Sequence, residues 1–212
     1  MKPIRIILTT TLLLALSLSA AIEKPRRHAN LEIINDLSLG SQIVTNMRLE
    51  NKTSIPRAIY SPQYEASASD PESMARQYLL AHSDLLHHTS DNSELKFVRT
   101  VETPGGYRVL FVQEITGIPV YNATIKISLN RHNEVVFVTN GYQNMGAIEI
   151  DVNISESTAL QIAENYFGFE TPHTYQNVET VIYKQTLFEN IVAQKVTIVP
   201  ANKLYGDWEV LV

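Results

Sequence analysis

Apolar residues along this chain recur with two periods, and the switch between them organises the sequence. Asp70-Pro71-Glu72 offers an N-cap oxygen, a proline suited to the first helical position and an early acid for the positive helix end. Met74, Tyr78, Ala81, His82 and Leu85 follow at spacings of three and four, which places them on one helical face. A helix is therefore expected from Asp70 to about His87. From Leu95 the period becomes two. Leu95, Phe97 and Val101 fall on one side of a strand that Arg99 interrupts, Pro104-Gly105-Gly106 marks a turn, Tyr107 to Ile115 is β-prone, and Gly117-Ile118-Pro119 breaks the run. Tyr121, Ala123, Ile125, Ile127 and Leu129 then alternate with Asn122, Thr124, Lys126 and Ser128, forming the clearest half-buried strand of the chain, and Val135 to Thr139 returns as another.

The second half repeats this order without repeating the sequence. Ser155 can cap a helix carrying Ala159, Leu160, Ile162, Ala163, Tyr166 and Phe167, with Gly168 placed to end it. Val178 to Tyr183, Ile191 to Val199 and Trp208 to Val212 read as strands, with a turn from Asn202 to Asp207. Segregated helices and strands argue for an α+β class of two small modules, each a helix packed on an antiparallel sheet. Ile22 to Ser69 shows no sustained period and contains Pro25, Pro56 and Pro62, so it reads as a leader and linker with room for a docking strand. The expected divisions are 1–21, 22–69, 70–143 and 147–212.

The first of these is an export signal. Lys2 and Arg5 precede an apolar run from Ile6 to Leu18 that ends in Ser19, Ala20 and Ala21, the order of a secretory signal peptide cut between Ala21 and Ile22. The run falls short of the roughly 20 apolar residues of a membrane-spanning helix, and no later stretch could span a membrane. The product is thus expected to be secreted or periplasmic and free of the membrane after cleavage. A net charge of −5 with both signs scattered provides no basic stripe for phosphates, which argues against nucleic acid. The absence of cysteine excludes disulfides and thiolate metal sites.

Candidate chemistry is thin. The six histidines include no His-Glu-x-x-His. His87-His88 reads as a solvated helix end, His82 as a hydrogen-bonded core residue, and His28, His132 and His173 as loop residues, so no metal is assigned. No Gly-x-Ser-x-Gly occurs and no catalytic group is nominated. Glu149, Asp151 and Glu156 precede the second helix, whose dipole accounts for them. Asn51, Asn122 and Asn153 begin N-glycosylation acceptor patterns.

One stretch carries a resemblance. Val112-Gln113-Glu114-Ile115-Thr116-Gly117-Ile118-Pro119-Val120-Tyr121-Asn122-Ala123 resembles the fungalysin/thermolysin propeptide motif, in which Gln, then Gly-x-Pro-Val, then an aromatic and a small residue recur. Ile125 to Leu129, Asn133, and Val135 to Gly141 resemble that family's next hairpin, and Met74 to Leu86 its opening helix, so the likeness runs from about 70 to 143. Ile154 to Leu160 with Ala163, and Trp208-Glu209-Val210, resemble the PepSY-type domain that usually follows. The family's last strand pair, near an Asp-x-x-Thr-Gly, is missing, and the second domain is expected to be incomplete.

The resemblance implies the propeptide of a secreted thermolysin/fungalysin-type zinc metalloprotease. Such a segment is not catalytic; it acts as intramolecular chaperone and inhibitor of a cognate catalytic domain in cis, and zinc belongs only to that domain. From the residues themselves, Gly117 and Pro119 shape a turn, Val120 starts the next strand and Tyr121 packs on the helix. Contact of Gln113 and this turn with the protease is the sharper reading. The alternative is a free-standing secreted or cell-envelope binding or inhibitor protein that uses exposed sheet edges.

Overall fold

The computed structural model describes residues 31–34, 37–39, 42–44, 46–50, 53–146, 148–152, 154–167, 173–185, 189–201 and 206–212. The expected signal peptide with its cleavage point at Ala21 and Ile22 lies outside these residues, as do His28, Asn51, Asn153 and Gly168. In chain order the elements are β1 (Leu31–Ile34), β2 (Leu37–Leu39), β3 (Gln42–Val44), β4 (Met47–Glu50), β5 (Pro56–Glu65), α1 (Pro71–Ala81), α2 (Ser83–Leu86), β6 (Leu95–Thr103), β7 (Gly106–Ile115), β8 (Ile118–Asn130), β9 (Glu134–Asn140), α3 (Glu156–Phe167), β10 (His173–Lys184), β11 (Asn190–Pro200) and β12 (Trp208–Leu211). A ten-stranded sheet runs β1-β4-β5-β9-β8-β10-β11-β12, with β7 beside β8 and β6 beside β7, while β2 and β3 pair separately. The class is α+β, as the sequence predicts.

Local chemistry starts and stops α1. Asp70 Oδ1 accepts the Ser73 N–H at 2.9 Å and Pro71 follows at the first helical position, so two of the start signals act together. The helix yields at His82, whose φ of −125° and ψ of 22° leave the helical region, and the short α2 ends at His87 with φ 57°. Met74, Ala75, Tyr78, Leu79 and Leu86 share the main core with Phe111, Ile125, Ile127 and Leu129 of the sheet. Ala81, expected on the buried face, is exposed, and Leu85, which follows the break at His82, is half-buried.

Met47 and Ile59 belong to the same core, although the sequence reads their segment as leader or linker. Residues 47–65 instead form β4 and β5, and β5 pairs with β9 from Ala58↔Thr139 to Glu65↔Glu134. Their alternation is hidden because the register shifts between Tyr60 and Tyr64, where Ser61 and Gln63 take φ of 48° and 54°. A bulge of this kind breaks the period of two. A second one, between Phe97 and Arg99 of β6, turns Val101 outward to 42% exposure, away from the side it was expected to share with Leu95 and Phe97.

The α3 end of the sheet is built more lightly. Ser155 Oγ accepts the Thr158 N–H at 3.2 Å, the predicted cap, and Ala159 and Ala163 pack on Val196 and Ile198 of β11. Ile162 and Tyr166, two of the apolar residues the helix carries, are 43% and 76% exposed. His173 opens β10 rather than lying in a loop, with Nε2 3.0 Å from Glu164 Oε1 of α3. The strands of the two halves meet through a parallel contact of Val120 with Ile182. A third apolar cluster, Val120, Ala123 and Ile182 with Met145, Ile148 and Val192 around them, fills that join.

Candidate functional site

The motif residues build the place where the chain crosses from the α1 region to the α3 region. Ile115 of β7 pairs with Ile118 of β8, leaving Thr116 and Gly117 as a two-residue connection with φ of 50° and 87°. Positive φ at both positions suits the twist of a tight hairpin. Pro119 lies outside the turn, already paired with Glu114. Beyond it β8 buckles: Glu114 opposes Pro119 and Val112 opposes Thr124, so Val120 to Ala123 bow away from β7, and Asn122 takes φ 59°. The bow puts Val120 and Ala123 into the third cluster and turns Tyr121 away from the helix it was expected to meet. The Tyr121 hydroxyl donates instead to Glu209 Oε1 of β12 at 2.7 Å.

Gln113 faces this bow from β7 and is 0% exposed. Its Oε1 accepts the Gln143 N–H at 3.0 Å, and its Nε2 donates to the Gln143 carbonyl at 2.9 Å and to Glu94 Oε2 at 3.0 Å. The side-chain amide thus does for residue 143 what a neighbouring strand would do, exchanging an N–H and a C=O. Gln143 in turn donates from Nε2 to the Tyr121 carbonyl at 3.0 Å. Glu94 also accepts the Tyr142 hydroxyl at 2.5 Å. Burial, then the bond to Glu94 and its charge, push the Tyr142 phenol pKa well above its ordinary value, so it stays a neutral donor.

More polar groups hold the same segment. Buried Asn140 donates from Nδ2 to the Leu86 carbonyl at 3.0 Å and accepts the Tyr142 N–H at 2.9 Å. Arg57, paired with Glu50 at 2.7 Å, donates to the Tyr142 carbonyl at 2.9 Å. A Cβ on Gly141 would stand 2.7 Å from the Thr124 carbonyl oxygen, so only glycine lets the chain leave β9 this close to β8. Lys184 donates to the Asn144 carbonyl at 2.6 Å, Met145 and Ile148 enter the third cluster, and buried Gln194 donates to the Ile154 carbonyl at 3.2 Å. Residues 140–145, 148 and 154 are thus tied to both helical regions and to the join between them.

Of the motif residues, Gln113 and Val120 are buried and present no surface, whereas Gly117 is exposed and Pro119 and Tyr121 are half-buried. Arg57, Glu94, Asn140 and Gln143 escape sequence reasoning. The available signal was parity: Gln113 follows Val109 and Phe111 on the buried side of β7, a polar residue where the strand otherwise places apolar ones, and such a group demands partners.

Among the described residues the histidines assemble no metal centre. His82 is the core residue expected, with Nδ1 2.8 Å from the Tyr78 carbonyl and its ring 4.1 Å from that of Tyr78. His88 is buried rather than solvated, with Nδ1 2.7 Å from the Thr89 carbonyl, and its exposed neighbour is His87. Burial lowers the pKa of His82 and of His88. Among the described residues no group of three or more His, Asp or Glu could hold a metal ion, and no helix is long and apolar enough to cross a membrane. Glu156 lies in the first turn of α3, and Glu149 and Asp151 line a cleft with residues 190–194 of β11.

No curated protein matches the chain in sequence. Among solved structures, the Bacillus megaterium YpeB C-terminal domain is 11% identical with a TM-score of 0.37, over 86% of this chain and 83% of that one. Residues 93–142, the stretch that holds Glu94, Gln113, the Thr116–Gly117 turn and Asn140, match the family described as Fungalysin/Thermolysin Propeptide Motif.

Proposed function

We propose that the chain is the pro-region of an exported thermolysin/fungalysin-type zinc metalloprotease, in which a module over 70–143 is followed by a PepSY-like module over 147–212. The match of residues 93–142 to the propeptide motif carries this reading. In it the segment is not catalytic, reaches the secretory route through a signal peptide cut between Ala21 and Ile22, and serves a catalytic domain in cis as folding template and inhibitor. Zinc belongs to that partner. The buried clamp of Gln113 on Gln143 supports a rigid template, because both ends of the side chain fix the backbone that joins the regions. Gln113 and Val120 are positioning residues here, and the exposed turn at Gly117, with Pro119 and Tyr121 beside it, is the part of the motif offered to the catalytic domain.

The test is co-expression of residues 22–212 with a thermolysin-type catalytic domain. Active enzyme should rise in yield, and cleavage of a peptide substrate should slow while the two remain together. No change in either quantity would sink the proposal.

A further inference from the structure

Asn140-Gly141 is the sole Asn-Gly pair of the sequence, and the fold uses both residues. Asn140 is 2% exposed. Its Nδ2 donates to the Leu86 carbonyl at 3.0 Å and its Oδ1 accepts the Tyr142 N–H at 2.9 Å, so an apolar residue in its place would strand two backbone groups. Gly141 stands where a Cβ would meet the Thr124 carbonyl oxygen. The same pair is reactive toward itself. An asparagine amide carbon is an electrophile within reach of the next residue's backbone nitrogen, and glycine has no side chain to shield that nitrogen.

In the closed fold each reacting group is held. The Gly141 N–H donates to the Thr124 carbonyl at 2.8 Å, which engages the proton that the nitrogen must lose. Leu86 holds Nδ2, the leaving group, and Tyr142 holds Oδ1. Burial keeps out the water that would complete the reaction. Asn140 is also the last residue of β9, paired there with Ile125. The crossing segment begins at this point, so its local opening releases all of these groups together.

We propose that Asn140-Gly141 is a latent self-modification site that makes opening of the crossing segment irreversible. In the open segment the Gly141 nitrogen loses its proton to water and attacks Asn140 Cγ. The N–Cγ bond forms, the Cγ–Nδ2 bond breaks, and Nδ2 leaves as ammonia after taking a proton back from water. Water then opens the succinimide ring at either carbonyl, which gives aspartate or isoaspartate at position 140. Neither product closes again. Aspartate sets a carboxylate oxygen against the Leu86 carbonyl, two buried acceptors facing each other, and isoaspartate adds a methylene to the main chain, which draws Gly141 off Thr124. This chemistry stands apart from the pro-region reading and survives its failure.

The experiment ages the full exported chain at mildly alkaline pH and reads aspartate and isoaspartate at position 140 by peptide mapping and mass spectrometry. The urea-unfolded chain should convert, while the native chain keeps Asn140 over the same period. Folded Gln113→Leu, which frees Gln143 close by, should convert at least about fivefold faster than native, the smallest rise in open population expected from losing the clamp. Chain converted in urea, separated by its added negative charge and refolded, needs no variant. Its Tyr142 and Gln143 amides should exchange faster than in native chain while Phe111 stays protected. Equal conversion of native and urea-unfolded chain would overturn the proposal, as would conversion of Gln113→Leu no faster than native. So would native exchange at Tyr142 and Gln143 in the converted chain, or protection lost throughout its core.

Discussion

Beneath α1, Met74, Ala75, Tyr78 and Leu79 meet Phe111, Ile125 and Ile127 in one continuous core, whereas beneath α3 the wholly buried helix residues among the described side chains are Ala159 and Ala163. Both helices start from side-chain caps and lie on antiparallel strands, so the difference is in area. Alanines let a helix approach a sheet closely but remove little apolar surface from water, and stabilisation scales at about 25 cal/mol per Å² buried. Among the described side chains the α1 region therefore buries the larger apolar surface. The α3 region leans on the long β10–β11 hairpin and on the tied residues 140–145, 148 and 154, and it leaves Ile162 and Tyr166 outside.

The contrast can be broken most sharply by truncating one side chain on each side of it. Phe111, fully buried and covered by the Arg76 guanidinium at 5.0 Å, should lose about 3–5 kcal/mol on Phe111→Ala. Ile162→Ala on α3 should stay within about 0.5 kcal/mol. Equal losses in urea denaturation would erase the distinction.

Next in size is the clamp between the regions. Gln113→Leu keeps the bulk but strands the Gln143 N–H and carbonyl, at a cost of about 1–3 kcal/mol. Limited proteolysis should then cut within residues 140–148 while leaving the α1 core resistant; an unchanged digestion pattern would show that the clamp is dispensable.

Acid sharpens the comparison further, because the buried rings of His82 and His88 both lie in the α1 region. Burial holds their folded pKa values below the ordinary value, so the fold keeps them neutral while the unfolded chain takes up protons near pH 6.5. Their contribution is complete above that pH and is lost as pH falls below it. The denaturation midpoint should be lower at pH 5.5 than at pH 7.5, and His82→Phe, which can keep the stack on Tyr78, should shrink the gap. A midpoint insensitive to pH over this interval would contradict the burial argument. The cap contributes modestly: Asp70→Ala should cost about 1 kcal/mol, read as a modest fall in thermal midpoint.

The parts legible in the sequence were those where one rule acted alone. Asp70-Pro71-Glu72 announced α1, Ser155 announced α3, and the alternation from Ala123 to Leu129 announced the buried face of β8. Where a bulge intervened, the pattern misled. Ser61 and Gln63 concealed β5, the shift after Phe97 turned Val101 outward, and Asn122 moved Tyr121 from the helix to Glu209. The join of the two regions was not legible, because Val120 and Ile182 are ordinary β-formers and nothing local marks a parallel contact between them. The motif singles out Gln113, and its place after Val109 and Phe111 on the inward side of β7 marks it as a buried polar residue that needs partners.

Gln113 holds the crossing segment, and amide hydrogen exchange tests this directly. In the native chain the Gln143 N–H, bonded to Gln113 Oε1 at 3.0 Å, should be strongly protected, and in Gln113→Leu it should exchange far faster together with the Tyr142 N–H, while Phe111 and Ile127 in the α1 core stay protected. Unchanged protection at Gln143 in the variant would contradict the claim that the motif glutamine ties the two regions together.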